Sequence, residues 1–456
     1  MKRLYLGGIL ILFMIASGAA TPVRIIGMGT IDLVIEDESN RINLYDFGGN
    51  VAGLYSDERG SSAEGFISYG HVSSSDSNGP REPEVTRWGG FLPMDGGISV
   101  NTFTAFGGVP AGGLFTYRSP QGYAAVAKAM YSSTSSHYEN LDRTDDATAP
   151  LFGIAFSRNF GTFDAGATGE YSGLTITNGR DDSEINASMK TLNGGFAAEL
   201  SPLFTVGISG GLGFPAADLA ISSTDFDLSG NSFSGGIQAI AKVPGLAKLG
   251  ARLGFLNANL GAEASSGNVT LDLGELDFTD VDFEARALVG SMLFPLRAGA
   301  IFSYETFHPE FEGDITSLLD IDMRITTMDF GIGLGYVLPL ITPGFQYNLS
   351  NEHAADDLND NEVDASGWDL RFGGESRFGF LTLRGGFGIG KKDPDTDTDD
   401  DEMKKRSLSF GTTFSMPMQP YRIEFAYVNT ETKPEDNPEE QKEVDDSISL
   451  ALKLRF

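Results

Sequence analysis

Four histidines, His71, His137, His308 and His353, stand in a chain of 456 residues that has no cysteine. Covalent catalysis needs a nucleophile, a base and a group that orients the base, all within hydrogen-bond reach. None of the four imidazoles belongs to a Gly-x-Ser-x-Gly or His-Glu-x-x-His pattern. Each falls at the end of an apolar-alternating segment or in a polar stretch between two. Esterase, phospholipase and protease chemistry is therefore not expected, and no catalytic residue, metal ligand or cofactor is assigned. The acidic run 393–402 resembles a calcium loop in composition only. An EF-hand requires Gly at the sixth position of its loop. Counted from Asp395 that position is Asp400, and from Asp393 it is Thr398. A solvated loop is expected there, with weak divalent-cation bridging to lipopolysaccharide phosphates as the alternative.

The remaining chemistry lies in charges spaced along apolar segments. Arg252, Arg286, Arg297, Arg371, Arg384 and Arg422 alternate with apolar residues, as do Glu305, Glu375 and Glu424. Such positions line a polar lumen if their apolar neighbours face lipid. Paired across strands they stiffen a wall; unpaired they line a pore, and both readings stand. The chain carries 32 basic and 63 acidic residues, a net charge of −31. That balance repels phosphates and excludes nucleic acid as a partner. The 33 Phe and 14 Tyr argue against disorder. The absence of Cys leaves no disulfide, thiolate site or lipidated Cys after a leader.

The elements that position these charges read as β-strands. In the last segment Ile448, Leu450, Leu452, Leu454 and Phe456 share one face, while Ser447, Ser449, Ala451, Lys453 and Arg455 share the other. Tyr421, Ile423, Phe425 and Tyr427 alternate in the same way with Arg422, Glu424 and Ala426. From residue 111 onward, pairs of such segments are joined by tight Pro- or Gly-containing turns, as at 119–122, 158–161, 243–245 and 378–379. Longer connections separate the pairs: 133–148, 174–190, 215–231, 261–281, 309–324, 351–366, 391–404 and 431–444. These eight stretches hold 39 of the 63 acidic residues. Short turns on one rim and long acidic loops on the other are the asymmetry of a bacterial outer-membrane barrel. The fold class is thus all-β, a transmembrane antiparallel β-barrel of 14–18 strands. The count reaches eighteen with one early strand at 64–71 or 98–106. The apolar alternation ending on Phe456 resembles the C-terminal signal read by the barrel-assembly machinery.

Three segments follow. Residues 1–20 read as a signal peptide, with Lys2 and Arg3 before an apolar run and small residues up to Ala20. The run is too short to span a bilayer, which takes roughly 20 residues. Residues 21–60 break the strand layout, and 61–456 form the barrel. Within 21–60, Gly27, Met28 and Gly29 precede a second element made of Asn50, Val51, Ala52, Gly53 and Leu54. These two pieces resemble the N-terminal region of FadL-type fatty-acid transporters and their PorV-like relatives. In that family a Gly-Met-Gly element and an Asn-Pro-Ala-Gly-Leu-like element lie in a segment folded inside the barrel. Val51 stands here where the family carries Pro. The resemblance implies a lumenal hatch, a 14-stranded barrel and passage of hydrophobic compounds. Independently, a wide barrel offers this segment a lumen to fold in; the periplasm, or pairing as an early strand, is the other place for it.

The function expected is passive uptake of small solutes across the outer membrane, through a hatch-bearing channel for apolar compounds or a general porin. The alternative is a structural or secretion-accessory barrel. The expected partners are outer-membrane lipid, lipopolysaccharide and the assembly machinery.

Overall fold

The structure, a computed structural model, describes residues 42–45, 50–54, 61–76, 79–89 and 111–455, apart from short stretches at strand ends (139–142, 180–182, 222–223, 267–268, 292–293, 313–320, 357–360, 396–402, 416–420 and 435–441). Among these residues nineteen strands run in order: β1 (Ser62–Asp76), β2 (Gly79–Gly89), β3 (Ala111–Arg118), β4 (Tyr123–Tyr138), β5 (Arg143–Asn159), β6 (Phe163–Asn178), β7 (Ser183–Ser201), β8 (Phe204–Ile221), β9 (Thr224–Val243) and β10 (Ala247–Ser266). They continue as β11 (Val269–Ser291), β12 (Phe294–Glu312), β13 (Ile321–Tyr336), β14 (Ile341–Asp356), β15 (Asn361–Phe378), β16 (Leu381–Asp395), β17 (Met403–Ser415), β18 (Tyr421–Pro434) and β19 (Lys442–Arg455). Neighbours pair antiparallel, and β1 pairs with β19, from Ser62 opposite Arg455 to Ser75 opposite Lys442. The sheet is therefore closed, so its strands satisfy one another's backbone groups where hydrocarbon cannot.

The wall has eighteen strand positions, because β2 and β3 share one. Gly89 lies opposite Ser68 and Gly112 lies opposite Phe66, so both strands descend beside β1. On the other side Trp88 faces Ser133 and Ala111 faces Tyr131 of β4. The two are pieces of one strand with residues 90–110 inserted between them. Eighteen exceeds the fourteen that the FadL resemblance implies. Of the two early-strand candidates, 64–71 lies in β1, and 98–106 lies outside the described residues.

The lipid face follows from the period of two. Outward residues such as Phe152, Ile154, Phe196, Ile208, Leu253, Phe255, Phe330 and Leu408 are exposed. In β8 the outward apolar run extends over 204–214, the length a tilted strand needs to cross the hydrocarbon, roughly 9–11 residues. Tight turns close the lower rim, and Gly122, Gly161, Gly245 and Gly379 take positive φ there, which an L side chain rarely adopts.

The acidic connections expected as long loops are mostly strand. β10 and β11 leave only 267–268 between them, and β8 and β9 leave only 222–223. The hairpins simply continue past the lipid. The alternation that betrays a strand fades there, since a hairpin above the membrane needs no lipid-facing side. Prolines inside these extensions explain why they resemble loops. Pro150, Pro215 and Pro309 each pair on one side only, and the ladder skips them on the other. A residue without N–H interrupts one ladder and no more.

Candidate functional site

The lumen holds residues 42–45 and 50–54. Val51–Leu54 form one turn of 3-10 helix, every residue of it buried. Asn50 shapes this turn: its N–H donates to the Leu44 carbonyl (2.9 Å), its Oδ1 accepts from Ala52 N–H (3.0 Å) and its carbonyl accepts from Gly53 N–H (2.9 Å). Its side-chain amide reaches into the wall. Asn50 Nδ2 donates to the carbonyls of Phe196 (3.1 Å) and Ile208 (3.0 Å) and to Gln238 Oε1 (3.0 Å). Phe196 and Ile208 are direct cross-strand partners in β7 and β8. Ser209 orients Gln238 by accepting from its Nε2 at 3.1 Å.

The wall is hollowed to admit this segment. A Cβ on Gly195 would lie 2.1 Å from Asn50 Oδ1, and one on Gly207 2.5 Å from Asn50 Nδ2. A Cβ on Gly166 would lie 2.9 Å from the Val51 carbonyl oxygen. Ile42, Leu44 and Ala52 pack with Ala197, Ile240 and Leu288 of β7, β9 and β11. Val51 and Tyr45 meet a buried ion pair, Lys128 Nζ to Glu170 Oε1 at 3.3 Å, which Thr168 supports. Lys128 reaches it across Gly153, where a Cβ would sit 2.7 Å from Lys128 Cε. Of the residues picked out by sequence, Asn50, Val51, Ala52, Gly53 and Leu54 lie here; Gly27, Met28 and Gly29 lie outside the described residues.

The predicted lumen charges all sit on the inward phase and fall into two groups. On β10–β12, Arg252 Nε contacts Glu284 (2.9 Å) and Asp282 (3.4 Å), and Arg286 also pairs with Glu284. Glu305 stands opposite Asp282, and Arg297 opposite Gly290. The second group crosses β15–β18. Glu375 and Arg384 are almost fully buried and meet at 3.3 Å. Arg384 Nη1 donates to Thr413 Oγ1 (2.6 Å), which donates to Glu424 Oε1 (3.2 Å), and Arg422 closes the row on Glu424. Arg377 adds a second contact to Glu375, and Arg371 pairs with Asp369. Ile448, Leu450, Leu452 and Leu454 face outward and are exposed. Phe456 lies outside the described residues.

Above the lipid the polarity of the wall inverts on β6–β13. In β10 the outward residues Leu249, Leu253 and Phe255 give way to Asn257, Asn259 and Glu263, while Ala258, Leu260, Ala262 and Ala264 turn inward and are buried. In β11 Phe283 and Val281 face out, but Phe278 and Leu276 face in. In β12 Phe302 and Tyr304 face out, but Phe307 and Phe311 face in. Phe278 stacks on Phe307, their centroids 5.7 Å apart, within a cluster of Ala258, Leu260, Leu276 and Phe311. Leu260 is 1% exposed and Phe278 2%. The outer face of the same strands is acidic, with Asp218 opposite Asp227, Asp227 opposite Glu263 and Glu263 opposite Asp272.

The sequence carried this signal as a change of phase. Phe255 and Leu256 are adjacent apolar residues, and from them onward the apolar positions pass from odd to even numbers. The sequence reading also missed Gln238 and Thr413, because uncharged polar residues on an inward phase look alike until their partners are known, and it passed over Lys128 although a charge within an apolar alternation marks the inner face there too. Among the described residues no three His, Asp or Glu side chains gather as a metal would require.

No family model matches the chain, and no curated protein matches it. Among solved structures it is similar to the CymD monoaromatic hydrocarbon channel (11% identity over 97% of this chain and 98% of that one, TM-score 0.38). It is similar to a Pseudomonas aeruginosa FadL homologue (12%, 96% and 100%, TM-score 0.39) and to the copper transporter OprC (10%, 87% and 80%, TM-score 0.47).

Proposed function

We propose that this barrel sits in the outer membrane and passes small apolar solutes passively, around an N-terminal segment held in its lumen. In this reading residues 1–20 direct export, 21–60 form the lumenal hatch and 61–456 form the barrel. The observation that carries it is the inverted wall. A general porin is wet along its bore, yet here the inner face of β10–β12 above the lipid is apolar and closed to water, with Leu260 and Phe278 almost wholly buried. Apolar surface turned inward, where the hydrophobic effect opposes leaving it wet, favours a solute that is itself apolar. The acidic outer face keeps the same strands soluble beyond the membrane.

The experiment is a paired flux measurement on reconstituted protein. Liposomes should admit an uncharged aromatic hydrocarbon faster than empty liposomes do. They should show neither swelling with a sugar of similar size nor a large steady conductance in planar bilayers. Sugar swelling with open conductance would make the protein a porin. No flux of either solute would favour a structural or secretion-accessory barrel.

A further inference from the structure

We propose that Asn50 is a permanent pin: it holds Val51–Leu54 on the β6–β9 wall in every state of the channel, and any opening of the lumen occurs elsewhere. The proposal rests on the reading of 21–60 as a lumenal segment of a transport barrel.

Three independent features converge on this one amide. It is fully buried, so no water replaces its partners. Its two amide protons meet three acceptors, two of them backbone carbonyls of a directly opposed strand pair, which cannot rotate away as side chains do. The third, Gln238, is itself fixed by Ser209. The wall is also shaped around Asn50. Gly195 and Gly207 flank the Phe196 and Ile208 carbonyls, and a methyl group on either would strike the Asn50 amide. Neither glycine takes a positive φ, so the backbone does not call for glycine; only the missing side chain does. Gly166, opposite Gly195 in β6, extends the bed under Val51. A segment that had to leave its wall during transport would be poorly served by a socket that desolvates and encloses it.

Cysteine chemistry on the full chain tests this, since the protein has no cysteine of its own. Ala52 and Ala197 share one buried cluster, so the double variant Ala52→Cys, Ala197→Cys allows oxidation to tether the turn to β7. The expected result is that hydrocarbon flux is the same oxidised and reduced. Loss of flux on oxidation, restored by reductant, would overturn the pin, because the segment would then have to leave.

A second readout needs no substrate. Asn50→Ala and Gly195→Ala should each raise bilayer conductance severalfold and lower the yield of the tether. Gly194→Ala is the control: its Cβ would point out, with the nearest atom 3.8 Å away, and should change neither. Unchanged conductance and tether yield in Asn50→Ala would refute the pin, even if wild-type flux succeeds. Wild-type flux that fails while these two readouts behave as expected would refute the transport reading and leave the pin standing.

Discussion

Two walls of one barrel solve the same problem in opposite ways. At the level of the lipid both are apolar outside; inside, one sets buried Gln238 beside Ile240 and Leu288 against the lumenal segment, and the other holds the Glu375–Arg384 pair. Above that level, β6–β13 turn apolar side chains inward: Leu260, Leu276, Phe278 and Phe307 are buried and Asp227 and Glu263 face out. β16–β19 keep a polar inner face over the same stretch, with Lys405, Thr430 and Ser447 on the inward phase. The difference shows that inward and outward do not fix polarity in a membrane barrel. What fixes it is what each face meets at each height: lipid, water, or other protein.

The comparison breaks most sharply with a charge. Leu260→Asp should prevent stable folding of the upper wall, since an unpaired buried ion costs on the order of several kcal/mol. Thr430→Asp, on the inward phase of the other wall, should still fold and lose no more than the roughly 0.2–1 kcal/mol of facing Asp445. Urea unfolding in detergent, with heat-modified gel migration as a second probe, checks both. Equal tolerance of the two substitutions would erase the distinction. Phe278→Ala, which opens a cavity without adding charge, should cost about 3–5 kcal/mol in the same assay.

The polar wall has its own weak point at the level of the lipid. Removing either Glu375 or Arg384 breaks a buried ion pair, which costs about 3–5 kcal/mol, and less where a second contact such as Arg377 to Glu375 persists. Replacing both by Leu and Met, similar in volume, should recover most of that loss. Trp368, half exposed on the lipid face of β15, gives a fluorescence signal for the unfolding. A double variant no better than the singles would mean that Thr413 and Glu424 need Arg384 for their own satisfaction.

How much of this was legible in the sequence depended on whether a feature had a period. Alternation in 421–427 and 447–455, together with the turns at Gly122 and Gly379, revealed the strands and bounded their number at 14–18. The lumen arginines were legible because a charge inside an apolar alternation has only one face to take. The upper half of the wall was read as loop, because acid content and prolines such as Pro215 and Pro309 imitate loop chemistry. A change of phase, seen at Phe255 and Leu256, was the signal passed over. The bed of Gly166, Gly195 and Gly207 had no signal at all. In a chain with 58 glycines, those that make room for Asn50 look like any others until the strands are in register.

The smallest effect expected lies on the outer face of the inverted wall. Asp227 stands directly opposite Asp218 on one side and Glu263 on the other, and Glu263 in turn faces Asp272. Like charges directly opposed across strands are destabilising, by roughly 0.2–1 kcal/mol a pair. Asp227→Asn relieves two such contacts at the centre of the row and should raise stability slightly. Asp225→Asn, on the same face two residues away and opposite Ala220 and Ser265, relieves none and should be neutral. Salt provides the check on mechanism. These carboxylates are exposed, and at about 1 M ionic strength the screening length falls to about 3 Å, so the gain in Asp227→Asn should shrink there. A loss of stability in Asp227→Asn would mean that counter-charges hold the row together. The acid would then belong to the architecture of the upper wall rather than to its solubility.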